Sequence, residues 1–258
     1  MSDWTDDEYR SIQGFKPPKR NLTYFQNLAK NFTPSPDTDP APIDWTTRGY
    51  VDKVFDQGKC GGCWAFAAVE AMQTHYAIKT GVLLDLSVQQ LLDCAVNYAT
   101  HGCHGGYFYG AFDYARKHGM EQNQHYPYTG RRQPCQYQWV HAVVYVEEYF
   151  DVQIHNATAL KAALQVGPVA VSVDAHDKVF KYYEGGIITG DCGTHLDHAV
   201  LAVGWGIEDG IEYFIVKNSW GPDYGEDGYL RIAVESKVKE GVCGILSAPP
   251  SFAAMTSF

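Results

Sequence analysis

The stretch Gln57-Gly58-Lys59-Cys60-Gly61-Gly62-Cys63-Trp64-Ala65-Phe66 decides how this 258-residue chain is interpreted. Apolar residues and helix formers follow it at a spacing of about 3.6 until Gly81, and they predict a long, mostly buried helix over residues 63–80. The thiol of Cys63 then lies in the first helical turn. There the helix dipole favours thiolate, the species that attacks a carbonyl carbon. Cys63 is therefore predicted to be a reactive nucleophile.

A nucleophilic thiol needs a general base, and two residues far downstream complete such a site. His198 follows Asp197 at the head of an apolar segment, 135 residues after Cys63. Asn218 lies in a Lys-Asn-Ser-Trp-Gly segment, 155 residues after Cys63, and can hold the imidazole through its side-chain oxygen. The three residue types together predict acyl transfer to sulfur.

The remaining segments predict an α+β fold. Two further helices are expected over residues 87–94 and 109–118. Beyond about residue 140, segments rich in Val and Tyr predict strands over residues 141–150, 169–173, 198–203, 211–217 and 228–234. A helical first half followed by an antiparallel second half indicates two lobes with a cleft between them.

The first forty residues differ in character from the rest. Thr5 and Glu8 form a capping box, which predicts a short helix that runs to about Gln13. The Pro17-Pro18 pair ends it, and the Pro-, Asn- and Thr-rich stretch that follows is expected to be extended and solvated. This segment is therefore not expected to form a domain of its own.

The composition argues against several kinds of protein. A net charge of −10 without a cluster of Lys and Arg disfavours nucleic acid and anionic membrane surfaces as partners. No run of about eighteen apolar residues predicts a membrane span, and the first residues lack a signal-peptide pattern. The chain is expected to be a soluble protein that is either cytosolic or lacks its original N-terminus.

Seven cysteines, an odd number, suggest three disulfides and one free thiol if the chain folds in an oxidising compartment. Seven reduced thiols in a cytosolic protein are the alternative. Three Asn-x-Thr sequons, at Asn21, Asn31 and Asn156, favour the secretory pathway, although Pro34 makes the second a poorer acceptor. The ten histidines are compatible with an acidic compartment, because their protonation would cancel the net charge.

These motifs resemble those of the papain and cathepsin family of cysteine peptidases, and the similarity runs from about residue 42 to residue 252. Gly62 departs from the family pattern, which has Ser or Ala there, and is expected to loosen the loop before the nucleophile slightly. The resemblance implies a papain-like fold, with a helical lobe at about 50–150 and an antiparallel, β-barrel-like lobe at about 41–49 and 151–258. Residues 1–40 resemble the end of the family's inhibitory prosegment. Its larger upstream part is absent, so self-inhibition is expected to be weaker than in a complete zymogen.

The resemblance also implies a role for each site residue. Cys63 is the nucleophile, His198 the acid and base, and Asn218 the residue that orients the imidazole. The side chain of Gln57 and the backbone N–H of Cys63 stabilise the oxyanion. Substrate is expected to contact Gly105, Gly106, Tyr107, Phe108, Ser172, Leu196, Asp197, Trp220 and Ala248. Five of these residues resemble the wall of one pocket, Tyr107, Phe108, Ser172, Leu196 and Ala248. Because that lining is apolar, we expect a hydrophobic side chain two residues before the scissile carbonyl, at the position called P2.

Three disulfides follow from the same resemblance, Cys60–Cys103, Cys94–Cys135 and Cys192–Cys243. Each closes a loop of roughly 40 to 50 residues, for which the chain-entropy model gives about 4 kcal/mol. No long insertion follows Cys63 that would close one end of the cleft, which favours an endopeptidase. The resemblance further implies peptide and protein substrates, the prosegment as an autoinhibitor, cystatin-type inhibitors, a monomer, and no cofactor or metal. It implies a lysosomal or other acidic endolysosomal location, or secretion.

Other chemistries fit these motifs less well. Cys60 and Cys63 form a Cys-x-x-Cys pair, but a redox site needs a preceding strand with Trp, and zinc needs a second close pair. The histidines at 101–104 and 195–198 are spaced like metal ligands, but loop histidines are usually solvated and no HExxH helix is present. An inactive relative that binds peptides without cleaving them is disfavoured, because the residues needed for catalysis are intact.

Overall fold

The computed structural model describes residues 4–16, 28–34, 40–190 and 192–256. The sequon at Asn21, the Pro17-Pro18 pair and most of the stretch expected to be extended lie outside these residues. The helices of the described part are α1 Asp6–Ile12, α2 Cys63–Thr80, α3 Val88–Cys94, α4 Phe108–His118, α5 Ala157–Leu164 and α6 Lys178–Lys181. Its strands are β1 Lys30–Asn31, β2 Ile43–Asp44, β3 Met120–Glu121, β4 Ala142–Asp151, β5 Val169–Val173, β6 Ile187–Ile188, β7 His198–Glu208, β8 Ile211–Lys217, β9 Tyr229–Ala233 and β10 Ser251–Thr256. Short 3-10 helices occupy Trp45–Arg48, Ala95–Asn97, Gly102–His104, Trp139–His141 and Val242–Gly244.

Helix α2 forms the centre of the helical lobe, with the bounds that the sequence predicts. Its Ala-rich sequence lets β7, β10 and α4 pack closely around it, and most of its side chains are buried. Gly81 ends the helix with φ 77°, a left-handed conformation that favours glycine. No side chain caps the start of the helix at Gly62, and the N–H groups of Ala65 and Phe66 bond to the carbonyl oxygen of Gly62 instead. None of the described helices is both long enough and apolar enough to cross a bilayer.

The sheet of the second lobe is open. Its strand order is β1-β4-β10-β5-β7-β8-β9-β6, with β2 also paired to β7 and β3 to β4. All pairs are antiparallel except β1 with β4 and β6 with β9. Among the described residues the expected barrel-like closure is not found, because the end strands β1 and β6 each pair with one neighbour there.

Two hydrophobic clusters correspond to the two lobes. Alternate side chains of β7 point to opposite faces, so Ala199 and Leu201 join the cluster around α2, whereas Val200 and Ala202 join the cluster of the β lobe. The α+β, two-lobed fold that the sequence predicts is confirmed. The cleft between the lobes lies where α2 and β7 both begin.

Three disulfides tie the loops to these lobes. They join Cys60 to Cys103, Cys94 to Cys135 and Cys192 to Cys243, the pairs that the resemblance implies. Cys63 is the free cysteine. The first bridge fixes the loop directly before α2 to the loop that carries Gly105 and Gly106.

Candidate active site

Cys63 begins helix α2, and its side chain is fully buried. The sulfur accepts a hydrogen bond from the backbone N–H of Ala199 at 3.5 Å. Because Ala199 follows His198 in β7, this contact brings the start of the helix against the start of the strand from the other lobe. The thiol therefore lies at the junction of the two lobes.

His198, the first residue of β7, is also fully buried. Its Nε2 lies 2.8 Å from Oδ1 of Asn218, an acceptor, so Nε2 carries the proton and donates it. The indole ring of Trp220 stacks on the imidazole with ring centres 4.5 Å apart and shields this hydrogen bond from water. Nδ1 has no hydrogen-bond partner within the described part of the chain and is the nitrogen left to receive a proton.

Gln57 lies beside the thiol in the loop before α2, and its side chain is completely buried. Its Nε2 donates to the carbonyl oxygen of Cys60 at 2.8 Å and to that of Ile12, also at 2.8 Å. The Oε1 atom accepts a hydrogen bond from the hydroxyl of Ser219 at 2.6 Å, which fixes the amide so that its NH₂ group faces the cleft. A carbonyl oxygen thus already occupies the place where an oxyanion would be stabilised.

The carbonyl of Ile12 belongs to residues 4–16, which we call the N-terminal tail. Helix α1 begins with the predicted capping box of Thr5 and Glu8. Tyr9 and Ile12 pack in the hydrophobic cluster of the β lobe, whereas Phe15 packs in that of the helical lobe. The tail therefore crosses the cleft and contacts both lobes.

The backbone of the tail is hydrogen-bonded as an added strand. The N–H of Phe15 donates to the carbonyl oxygen of Asp197 at 2.9 Å, and the N–H of Lys16 donates to that of Gly106 at 2.9 Å. Gly106 returns a bond to the carbonyl of Gly14 at 2.8 Å, in a parallel bridge. A Cβ on Gly106 would lie 2.8 Å from the ring of Trp64, so the packing behind this backbone leaves no room for a side chain.

Phe15 marks the pocket that the sequence assigns to substrate. Its ring centre lies 5.1 Å from that of Tyr107 and 6.1 Å from that of Phe108. Leu196 packs against the same cluster. Ser172 is buried with a hydroxyl that has no partner among the described residues, on the face of β5 that carries Ala170. Ala248, by contrast, is half-buried and does not belong to the described cluster that Phe15 joins.

Both the thiol and the imidazole are fully buried where the tail covers the cleft, and burial favours the neutral form of each. Burial raises the pKa of Cys63 to about 12, although N–H groups of Ala199, Gly14 and Trp64 partly offset it. Burial lowers the pKa of His198 to about 4, against the hydrogen bond with Asn218. With the tail in place, both groups are neutral at pH 7. The thiolate expected from the helix dipole is not the state of this form.

The sequence comparison now decides the family. A profile of the papain family cysteine proteases matches residues 39–252. The chain belongs to this family. It is 41% identical over 247 residues to cysteine proteinase COT44 of Brassica napus, which is 93% of this chain and 75% of that protein. It is 40% identical over 255 residues to senescence-specific cysteine protease SAG39 of Oryza sativa, covering 96% and 74% of the two chains.

Solved structures agree with this assignment. Digestive procathepsin L 3 of the Tenebrio molitor larval midgut superposes with a TM-score of 0.87 at 33% identity, over 98% of this chain and 80% of that one. The bromelain protease of Ananas comosus, in complex with the E64 inhibitor, gives 0.78 at 40% identity, over 83% and 98%. This papain family cysteine protease therefore shares its fold with a procathepsin across almost its whole length.

Two supporting contacts of this papain-family site were not predicted. Ser219 links the two halves, because its hydroxyl donates to Gln57 and its N–H donates to Oδ1 of Asn218 at 2.9 Å. Lys217 forms a buried ion pair with Glu70 at 3.1 Å, which ties β8 to the middle of α2. Burial raises the pKa of Glu70, and the charge of Lys217 opposes that shift. Only the Lys-Asn-Ser-Trp-Gly segment signalled either contact.

Gly62 departs from the family pattern, and the structure shows how closely its neighbours pack around it. Its φ is −96°, so any residue could adopt this backbone. A Cβ there would lie 3.3 Å from a methyl of Leu92 and 3.4 Å from the sulfur of Cys60. The packing around Gly62 is thus adapted to glycine.

No three His, Cys, Asp or Glu side chains of the described part are grouped as a metal site requires.

Proposed function

We propose that this chain is an endopeptidase that hydrolyses peptide bonds through a thioester on Cys63, with residues 1–40 as a prosegment that keeps it latent. One observation carries the proposal. At the junction of the two lobes, the thiol at the start of α2 bonds to the N–H that follows His198, His198 pairs with Asn218, and the amide of Gln57 donates to a backbone carbonyl of the tail.

The acylation step follows from this arrangement. Once the tail leaves, Nδ1 of His198 takes the proton of Cys63, and sulfur attacks the scissile carbonyl carbon. Nε2 of Gln57 and the N–H of Cys63 donate to the oxyanion of the tetrahedral intermediate. His198 then protonates the leaving amine, the C–N bond breaks, and a thioester remains. Asn218 holds the imidazole through both proton transfers.

Deacylation reverses the roles. His198 takes a proton from water, the hydroxide adds to the thioester carbonyl, and the same donors stabilise the second oxyanion. Expulsion of sulfur, which regains its proton from His198, releases the acid and restores the enzyme. The stacked Trp220 keeps water away from the His198–Asn218 hydrogen bond during the cycle.

The course of the tail supports endopeptidase activity and a hydrophobic P2 residue. The tail enters over α6, passes the thiol and leaves past Gly106, so the cleft is open at both ends. Phe15 fills the pocket of Tyr107 and Phe108, which an apolar P2 side chain would occupy in a substrate. A large apolar P2 residue should gain the burial that Phe15 has here.

The direction of the tail explains how it inhibits without being cleaved. Phe15 follows Ile12, whose carbonyl faces Gln57, whereas a P2 residue precedes the scissile carbonyl. The tail therefore runs opposite to a substrate, so its peptide bonds do not take the orientation that a substrate takes toward the thiol. Cleavage after Asp39 or Pro40 should free the cleft; Asp39 lies outside the described residues.

The three disulfides support folding in an oxidising compartment, and we assign the protein to the secretory pathway, with work in an acidic compartment or outside the cell.

Asn156 caps α5 through Oδ1 and leaves Nδ2 towards Gln153, so a glycan on Nδ2 would keep the cap. Asn31 in β1 is exposed. Glycosidase treatment should reduce the mass at Asn156 if it is modified. Cystatin-type inhibition and a monomeric state complete the proposal, and light scattering with and without inhibitor tests both.

The test of function uses the full chain after limited proteolysis of the tail. Fluorogenic peptides that differ only at P2 should be cleaved with Phe and Leu far above Gly. Cys63→Ala should abolish hydrolysis but keep peptide binding, since only the sulfur is lost. Hydrolysis by Cys63→Ala would refute the mechanism. Equal rates for Phe and Gly at P2 would refute the assigned pocket.

A further inference from the structure

The ammonium group of Lys181 is a buried charge outside the residues that act on the scissile bond. Lys181 ends helix α6, and only 5% of its side chain is exposed. Its Nζ donates to the carbonyl oxygen of Trp4 at 3.1 Å and to Oδ1 of Asp6 at 3.2 Å. Both acceptors belong to the tail, so the ammonium is held by a segment that must leave before the enzyme can work.

The remaining neighbours of Lys181 are mostly aromatic. Nζ lies 5.1 Å from the ring centre of Tyr9, again in the tail, and 5.2 Å from that of Tyr182. Burial lowers the pKa of Lys181, but hydrogen bonding to Asp6 and Tyr182 outweighs burial and raises it, so the group is charged. Without the tail, Tyr182 is the partner that remains.

Lys181 lies on a defined side of the thiol. It lines a cavity of about 260 Å³ together with Trp220, whose indole stacks on His198. The P2 pocket lies on the other side, where Phe15 contacts Tyr107. If the pocket of Phe15 binds the residue before the scissile bond, the Lys181 cavity binds residues after it, on the leaving-group side.

The geometry points to a carboxylate-binding subsite at Lys181 that selects Asp or Glu on the leaving-group side of the substrate. This inference rests on the proposed peptidase function and names a preference that the rest of the site does not provide. Asp6 shows what the subsite accepts, because its carboxylate is the charged group bound there in the latent form.

The tail also gives the position of the preferred residue. Asp6 lies six residues before Ile12, mostly along α1, which corresponds to about 9 Å at 1.5 Å per residue. An extended substrate spans that distance in about three residues, at roughly 3.3 Å each. The acidic residue is therefore expected at the second or third position after the scissile bond.

Two carboxylates of the enzyme are near the ammonium and are alternative partners for it. Glu184 and Asp223 line the same cavity. If either were to pair with Lys181 once the tail leaves, the charge would be neutralised within the enzyme. The substrate preference measures the outcome of this competition directly.

The experiment compares internally quenched peptides with Phe at P2 and Asp, Asn or Lys at each of the first four positions after the scissile bond. The enzyme is the chain freed of its tail by limited proteolysis. A charge-assisted hydrogen bond should raise kcat/KM for Asp over Asn about tenfold at the second or third position, and added salt should reduce this ratio. Lys181→Met should bring the ratio to one, Lys181→Arg should keep it, and the exposed Lys178→Met is the matched control.

Equal rates for Asp and Asn peptides in the unaltered enzyme would overturn the subsite, whatever pairs with the ammonium. An unchanged ratio in Lys181→Met would also overturn it. Cleavage of the Asn peptide shows separately that the peptidase function holds. Anisotropy of labelled peptides bound to Cys63→Ala gives the same Asp-to-Asn ratio without catalysis, so failure of hydrolysis still leaves the subsite testable.

Discussion

Substitution of Gly14 by Ala should release the tail without touching the enzyme domain. A Cβ on Gly14 would lie 1.9 Å from the carbonyl oxygen of Gly61, a rigid backbone atom beside the thiol. Real contacts of this kind exceed 3.0 Å, so the tail must move by at least about 1 Å. The backbone of Gly14 has no positive φ, so the substitution introduces the clash without a disfavoured backbone conformation.

A shift of that size breaks the added strand. Three backbone hydrogen bonds join residues 14–16 to Gly106 and Asp197, at 2.8 to 2.9 Å. At about 1 kcal/mol each, their loss amounts to about 3 kcal/mol, which raises the ratio of open to closed chain roughly a hundredfold. Phe15→Ala should act in the same direction, since truncating a buried Phe costs about 3 to 5 kcal/mol.

The assay is the initial rate of the intact chain on a fluorogenic peptide with Phe at P2, with mass spectrometry to show that the tail is uncleaved. Ser11→Ala is the control, because its exposed hydroxyl bonds only to the carbonyl of Glu8 within α1. Gly14→Ala should be far more active than Ser11→Ala and the parent chain. If Gly14→Ala is folded and as inactive as the parent, latency does not depend on this strand.

The other predictions concern the catalytic residues and the release of the tail that covers them. Gln57→Ala should lower kcat of the tail-free enzyme by about 10² to 10³ with little change in KM, as kinetics on one peptide would show. Asn218→Ala should lower kcat by roughly ten- to a hundredfold and move the acid limb of the pH–rate profile to lower pH, because Asn218 raises the pKa of His198. Burial lowers the pKa of His198 from 6.5 to about 4. The free energy of tail binding therefore has a contribution from His198 that is present above pH 6.5 and is lost as the pH falls through about 4. Burial raises the pKa of Asp197 from 3.8 to about 6. Its contribution to the free energy of tail binding is therefore present below pH 3.8 and is lost as the pH rises through about 6. The contributions of His198 and Asp197 oppose each other as the pH falls. Asp197→Asn should therefore release the tail at a higher pH than the parent chain does during acidification. Hydrogen exchange of residues 4–16 in a Cys63→Ala background would show this.

Much of the fold and the positions of the site residues follow from local signals. Helix α2 has the predicted bounds because dense helix formers run from Cys63 to a glycine that adopts a left-handed conformation. Helix α4 begins at Phe108, one residue earlier than expected. The residues proposed as the triad lie close together because Cys63 and His198 both begin elements that face the cleft.

What the sequence did not show depends on pairing and burial over long distances. Helix α5 is short and Ala-rich, and β10 has an Ala-rich sequence whose extended state is set by its neighbours β4 and β5. The thiolate expected at Cys63 depends on more than the motif, since a helix start favours thiolate but the burial of this thiol in the structure favours the neutral form. Burial by a segment some fifty residues away cannot be read from the motif itself.

Alkylation of Cys63 before and after removal of the tail tests directly whether the tail suppresses the reactivity of this thiol. In the intact chain at pH 6, a pKa of about 12 against an ordinary 9.0 predicts reaction with iodoacetamide about a thousandfold slower than a free thiol. After the tail is cleaved, the same sulfur should react faster than a free thiol, with loss of peptidase activity in equal proportion. Modification of Cys63 without loss of activity, or reaction no faster than a free thiol after cleavage, would contradict the proposed role of Cys63.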